Sequence, residues 1–142
     1  MPYKFLPDIA LADIAFEARG RTLNELFEQA ALALSDIMAD RKKVKKTKKK
    51  KIALSADGID TLLYDFLSEL LYVKDVDSLT FSACTVKVAE SKGKWKLAAT
   101  MEGEKIDLKK AHMRNDVKAI TMHMFEVART KAGWKAVIVV DI

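Results

Sequence analysis

The chain has 142 residues, of which half are apolar and about a third are charged. This composition is typical of a folded chain rather than a disordered one, and its length predicts one domain over residues 1–142. No apolar run approaches the roughly 20 residues of a membrane helix, and the N-terminal stretch lacks the layout of a secretory signal. Because Cys84 is the only cysteine, an internal disulfide is excluded and a cytoplasmic location is expected.

The net charge of +5 comes from one stretch of the chain. From Arg41 to Lys51 the sequence reads RKKVKKTKKKK, which is nine basic residues in eleven. Without them, sixteen basic residues remain against twenty acidic ones. The basic character is therefore local, and we call residues 41–51 the basic segment.

The first half of the chain predicts a strand, a helix, a strand and a second helix. Apolar side chains alternate from residue 14 to Gly20, which is strand periodicity. Thr22 and Glu25 form a T-x-x-E capping box that starts a helix running to about residue 38. A short strand is predicted around Ile52 and Leu54. Asp57 then predicts the N-cap of a second helix that runs to about residue 73, with Asp60 in its first turn.

The second half predicts strands. LTFSACTVKVAE and WKLAATME flank a turn centred on Gly93, which indicates a hairpin. VKAITMHMFEVART and WKAVIVVDI indicate two more strands, joined by a turn at Gly133. This order predicts the α+β class, with two helices packed on a mainly antiparallel sheet.

Common catalytic motifs are missing from the sequence. His112 and His123 are the only histidines, and no cysteine pair could complete a zinc site with them. We expect His123 to be partly buried and hydrogen-bonded, with proton transfer as the alternative role. Cys84 is expected to be a small buried side chain. Met122 and Met124 are expected in the core, with a partner surface as the alternative.

Two acids stand at the ends of apolar strands. Asp13 precedes the first strand and Asp141 ends the last one, next to the terminal carboxylate of Ile142. Oxygen ligands gathered from strand ends could hold a hard divalent ion such as calcium or magnesium. The alternative is that both acids simply face water.

The basic segment also has two interpretations. It is either a solvated loop or a surface that contacts phosphate groups electrostatically. No aromatic residue interrupts it, which argues against base stacking. The candidate contacts with RNA or with a protein partner are Lys45, Lys46, Lys48, Lys49, Lys50 and Lys51.

Four segments in order resemble the archease family over nearly the whole chain. They are YKFLPDIALADIAFEARG, TLNELFEQAALALSDIMAD, TLLYDFLSELLYVKD and DVKAITMHMFEV, followed by the Asp-Ile ending. Each is weak alone, but their order and the total length make the combination specific.

The resemblance implies an accessory protein and not an enzyme. Archeases assist the GTP-dependent RNA ligase that seals tRNA halves: they promote its guanylylation and repeated turnover, and in some cases broaden its nucleotide use. The family's metal site maps onto Asp13, Asp141 and Ile142, with calcium as the expected ion. Two features depart from the family. Ala10 replaces a usual histidine, for which Asp8 is a candidate substitute ligand, and the basic segment replaces a mixed or acidic loop.

Two other functions compete with ligase activation. The first is a chaperone-like or RNA-binding protein that acts through the basic segment. The second is a small metal-dependent hydrolase, which is disfavoured because the sequence offers no candidate pair of nucleophile and base.

Overall fold

A computed structural model describes residues 2–6, 13–106 and 114–142. These described residues form two helices and seven strands, which confirms the α+β class and the predicted element order, with one extra strand at the start. The helices are α1 (Leu23–Met38) and α2 (Ile59–Asp77). The strands are β1 (Tyr3–Phe5), β2 (Ile14–Gly20), β3 (Lys48–Ala56), β4 (Leu79–Ser91), β5 (Lys94–Lys105), β6 (Ala119–Thr130) and β7 (Gly133–Asp141).

The strands form two sheets and not the single sheet that the sequence predicted. One sheet has four strands in the order β1-β2-β7-β6, and the other has three in the order β3-β5-β4. All neighbouring strands are antiparallel. The predicted hairpin is the β4–β5 pair, whose turn contains Gly93 with a φ of 78°.

Helix α1 begins where its capping residues predicted. The Thr22 hydroxyl accepts a hydrogen bond from the Glu25 backbone N–H at 3.2 Å. The Glu25 carboxylate bonds the N–H of Arg21 and not that of Thr22, at 3.4 Å. The buried face of the helix contains Leu26, Phe27, Ala30, Ala31, Ala33, Leu34, Ser35, Ile37 and Met38.

Helix α2 differs from its prediction at both ends. Gly58 is the N-cap and makes no side-chain cap bond, so the assignment of this role to Asp57 was wrong. Asp60 does lie in the first turn, where its carboxylate accepts from the Thr61 N–H at 2.8 Å. The helix continues to Asp77, beyond its last buried residues Val73 and Lys74, and it ends at Ser78, which is left-handed with a φ of 54°.

The core lies where the two helices meet the inner faces of both sheets. Phe27 of α1 stacks on Phe66 of α2 with ring centroids 6.0 Å apart. Helix α1 also covers the free edge of β4: the Glu28 carboxylate accepts from the Val86 N–H at 2.9 Å. The Asn24 side chain accepts from the Val88 N–H at 2.8 Å. These side chains satisfy backbone donors that an edge strand would otherwise leave open.

Strand β6 is interrupted by a register shift between Thr121 and Glu126. Met124 there has a φ of 56°, and the irregular stretch turns its side chains outward. Met122 and Met124 are 64% and 50% exposed, so their predicted place in the core was wrong. His123 is also exposed, which contradicts its predicted partial burial.

Among the described residues, no helix is long and apolar enough to cross a membrane.

Candidate functional site

The two acids singled out in the sequence lie together at one end of the four-stranded sheet. In the β2–β7 register Ile14 is opposite Val140, and Asp13 and Asp141 are each the next residue outward. Val140 faces the core and is fully buried. Because side chains alternate along a strand, both acids project from the opposite face, which also carries the buried Ala15 and Val139. Each is half-buried.

On the side away from β2, Asp141 is bonded to the segment before β6, and a buried lysine fixes that segment. The Lys118 N–H donates to the Asp141 backbone carbonyl at 2.8 Å. The segment before it is fixed by Lys74 of α2, whose ammonium donates to the Asp116 carboxylate at 2.7 Å and to the Val117 carbonyl at 2.8 Å. Lys74 is only 8% exposed. The end of β7 is therefore supported by a contact from the core side of the molecule.

The oxygen groups at this end suit a hard divalent ion. The carboxylates of Asp13 and Asp141 are the ligand type that calcium prefers, and Ile142, the third predicted ligand, follows Asp141 directly. Within the described residues, neither aspartate side chain has a hydrogen-bond or ion-pair partner. No group of three His, Cys, Asp or Glu side chains able to hold a metal forms in that part of the chain. An ion here would therefore need further oxygens from water or a partner.

Three residues from the sequence predictions cannot be placed. Asp8 and Ala10, which concern the ligand that differs from the family pattern, lie outside the described residues, as does His112.

The basic segment is not uniformly a solvated loop. Its start forms a short 3-10 turn (Arg41–Lys43) in which Arg41 pairs with the Asp36 carboxylate at 3.4 Å. The Tyr3 hydroxyl also donates to Asp36, and burial together with this bond raises the pKa of Tyr3. Val44 is buried. The start of the segment is thus part of the packed structure.

The end of the basic segment is a strand. The loop interpretation is wrong for Lys48–Lys51, because these four residues pair with β5 from Gly103 to Thr100. Lys50 is half-buried and pairs with Asp77 at 3.1 Å, so it is a poor candidate for a contact. The other five candidates, Lys45, Lys46, Lys48, Lys49 and Lys51, are exposed.

Cys84 has the properties of a structural residue. Its thiol lies against α1 and donates to the Glu28 carbonyl at 3.6 Å. Burial raises the pKa of the Cys84 thiol to about 12, so the reactive thiolate is scarce at neutral pH.

Comparisons with known proteins agree along the whole chain. A model described as "Archease protein family (MTH1598/TM1083)" matches residues 3–142. A protein archease of Methanosarcina barkeri is 41% identical over 132 residues, covering 92% of this chain and 90% of its own. One from Pyrococcus furiosus is 39% identical over 132 residues, covering 92% and 93%.

Two solved structures share the fold. The solution structure of Methanobacterium thermoautotrophicum protein 1598 matches with a TM-score of 0.88 and 33% identity, covering 99% of both chains. A crystal structure of an archease, described as a possible chaperone, from Thermotoga maritima matches with a TM-score of 0.63 over 94% of this chain and 93% of that one. Its 18% identity speaks for the fold alone.

Proposed function

We propose that this chain, which belongs to the archease family, is an accessory protein that activates a GTP-dependent RNA ligase in tRNA splicing. In this role it promotes guanylylation of the ligase and repeated turnover on tRNA halves, and it alters the nucleotide specificity of the ligase. We expect it to act in the cytoplasm, without a catalytic step of its own.

The observation that carries the proposal is that Asp13 and Asp141 flank the same end of the β2–β7 pair, one residue beyond Ile14 and Val140. The β2–β7 register ends at Ile14 and Val140, the residues next to Asp13 and Asp141, and this supports a short distance between the two acids. Both are half-buried and have no partner among the described residues. Adjacent unpaired carboxylates repel each other, so such a pair is favourable only where a cation compensates its charge.

We propose that Asp13, Asp141 and the Ile142 carboxylate hold a divalent ion, with calcium as the expected one. Bare carboxylates would repel nucleotide phosphates, whereas a bound divalent ion supplies positive charge to phosphate oxygens. The role of the protein residues is to place that charge at the mouth of the ligase site. The nucleophile belongs to the ligase.

The test is a ligation assay with the cognate ligase and an excess of RNA over ligase. Wild-type protein should convert a single round of ligation into repeated turnover. Asp13→Asn and Asp141→Asn should lose this stimulation without a fall in melting temperature, since each removes one of two like charges. The matched control is Glu90→Gln, which removes the same charge from an exposed position in the other sheet and should stimulate fully.

The ion is tested separately on the isolated protein. Calorimetric titration with Ca²⁺ should give one site in the wild type and in Glu90→Gln, and none in Asp13→Asn. A wild type that leaves the ligase at a single turnover would reject ligase activation. An Asp13→Asn protein that stimulates normally would reject the role of the acids.

A second candidate is a chaperone-like or RNA-binding function through the basic segment. It is favoured by the exposure of Lys45, Lys46 and Lys48 on one continuous stretch. Changing the lysines between Lys45 and Lys51 to glutamate would then remove all activity, whereas Asp13→Asn would have no effect. The opposite pattern is expected for ligase activation.

A further inference from the structure

The three-stranded sheet has one face that neither α1 nor α2 covers in the described part of the chain. Its inner face carries Ile52, Leu97 and Val86, which are buried against the helices. The residues that alternate with them project outward. On β3 these are Lys49, Lys51, Ala53 and Ser55; on β5 they are Lys96, Ala98, Thr100 and Glu102; on β4 they are Ala83, Thr85, Lys87 and Ala89.

The charge of this outer face is strongly unbalanced. Its exposed centre carries four lysines, Lys49, Lys51, Lys87 and Lys96, against the acid Glu102. At the two ends of β5, Lys94 also has an outward position and is paired with Asp57, and Glu104 is buried. We call the four lysines of the centre and the surface between them the lysine face. None of the four ammonium groups forms an ion pair with any described residue. By contrast, neighbouring Lys50 is paired with Asp77 on the other side of the sheet.

Protection of the sheet edge does not account for the lysine face. Lysines on an exposed edge strand prevent association with other strands, and this explains Lys49 and Lys51 on β3. It does not explain Lys96, because β5 is the central strand. It does not explain Lys87 either, because the free edge of β4 is already covered by α1.

The surface between the lysines is flat and made of small side chains. Ala53 and Ala98 lie opposite each other and line two adjoining shallow depressions of about 410 and 560 Å³. Lys87 borders both depressions. No aromatic or large apolar side chain projects from these outward positions, so the face lacks the anchors that dominate protein–protein interfaces. An extended polyanion can lie flat here without being obstructed.

We propose that the lysine face binds the phosphodiester backbone of single-stranded RNA. Each ammonium contacts a phosphate as a point charge, and the alanine floor lets the chain pass between the lysines. Because no aromatic side chain is present for stacking, the bases are not read and binding is independent of sequence. This inference extends the RNA contact beyond the basic segment to Lys87 and Lys96, and it does not require the ligase.

The experiment measures fluorescence anisotropy of a labelled oligouridine of about 20 nucleotides over a series of KCl concentrations. The variant combines Lys51→Gln, Lys87→Gln and Lys96→Gln, which removes three charges and keeps polar, exposed side chains. The control combines Lys105→Gln, Lys118→Gln and Lys131→Gln, three exposed lysines away from the face. Circular dichroism melts establish that both proteins are folded.

We expect the variant to bind at least roughly tenfold more weakly than the wild type at low salt. The slope of log affinity against log salt should fall by about 2, since each lost phosphate contact contributes about 0.7. The control should keep the wild-type slope. Equal losses in variant and control, or no RNA binding by the wild type, would overturn the proposal. So would a polyglutamate peptide that binds the face as tightly as the RNA, because the partner would then be an acidic protein.

Discussion

Replacing Lys74 with methionine tests whether one buried contact supports the end of the sheet that carries Asp141. Lys74→Met removes the bonds to the Asp116 carboxylate and to the buried Val117 carbonyl. An unsatisfied buried carbonyl costs about 1–3 kcal/mol. The ion pair adds less than about 1 kcal/mol, because Asp116 is 83% exposed and water screens it. The free energy of unfolding should therefore fall by about 2–3 kcal/mol, which lowers the melting temperature by roughly 7–10 °C for a chain of this size.

The control for this prediction is Asp116→Asn, which keeps the Val117 contact and should cost less than about 1 kcal/mol. Urea denaturation of the three proteins measures both changes. The reasoning is refuted if Lys74→Met loses less than about 0.5 kcal/mol, or if Asp116→Asn is equally destabilising. In the first case the Val117 carbonyl would have found another donor. In the second the ion pair, and not the buried carbonyl, would dominate.

Two further predictions concern close packing and the buried thiol. A Cβ at Gly103 would lie 1.8 Å from the Thr80 carbonyl oxygen, so Gly103→Ala should cost more than about 3 kcal/mol in urea denaturation. At Gly93 φ is 78° and an added Cβ would have no atom within 4 Å. Gly93→Ala should therefore lower the free energy of unfolding by only about 1 kcal/mol. Folding raises the pKa of Cys84 from 9.0 to about 12, so iodoacetamide at pH 8 should alkylate it at least about 100-fold more slowly in the native protein than in urea. The protonated Cys84 thiol contributes fully to the free energy of unfolding below pH 9, and this contribution is lost as the pH rises toward 12. Cys84→Ala should remove that part of the pH dependence of stability.

Helix α1 was predicted to within one residue because its signals are local. Thr22 and Glu25 lie three residues apart, and the apolar stripe of the helix repeats within its own length. Strand β3 was predicted too short because lysine has a low strand propensity. Residues 48–51 become a strand only through pairing with β5, about fifty residues later in the chain. Non-local pairing of this kind is not visible in the pattern of a single segment.

For the exposed stretch of β6, the sequence predicted burial that the structure does not have. Met122 and Met124 lie in an apolar, β-rich segment, and regular alternation would have buried one side of it. The register shift between Thr121 and Glu126 breaks this alternation. The candidate site was predictable only in part. Acids at the ends of apolar strands drew attention to Asp13 and Asp141, but only the β2–β7 register makes them neighbours.

The distribution of unpaired charge links the two surfaces. On the four-stranded sheet, Glu17 is paired with Lys4 and Arg19, whereas Asp13 and Asp141 have no partner among the described residues. On the three-stranded sheet, Lys50 is paired with Asp77 and Lys94 with Asp57, whereas the four lysines of the lysine face have no ion pair among the described residues.

Two groups of like charge in the described structure thus lack ion-pair partners: the acids at one end of one sheet and the lysines on the face of the other. Like charges held close together destabilise the isolated protein. Such clusters are favourable when an opposite charge joins them, which is a cation for the aspartates and a row of phosphates for the lysines. Helix α1 packs against both sheets, so the two surfaces are held on one frame. We therefore expect the protein to gain stability from Ca²⁺ and from RNA independently, and the two increments in melting temperature to add when both are present.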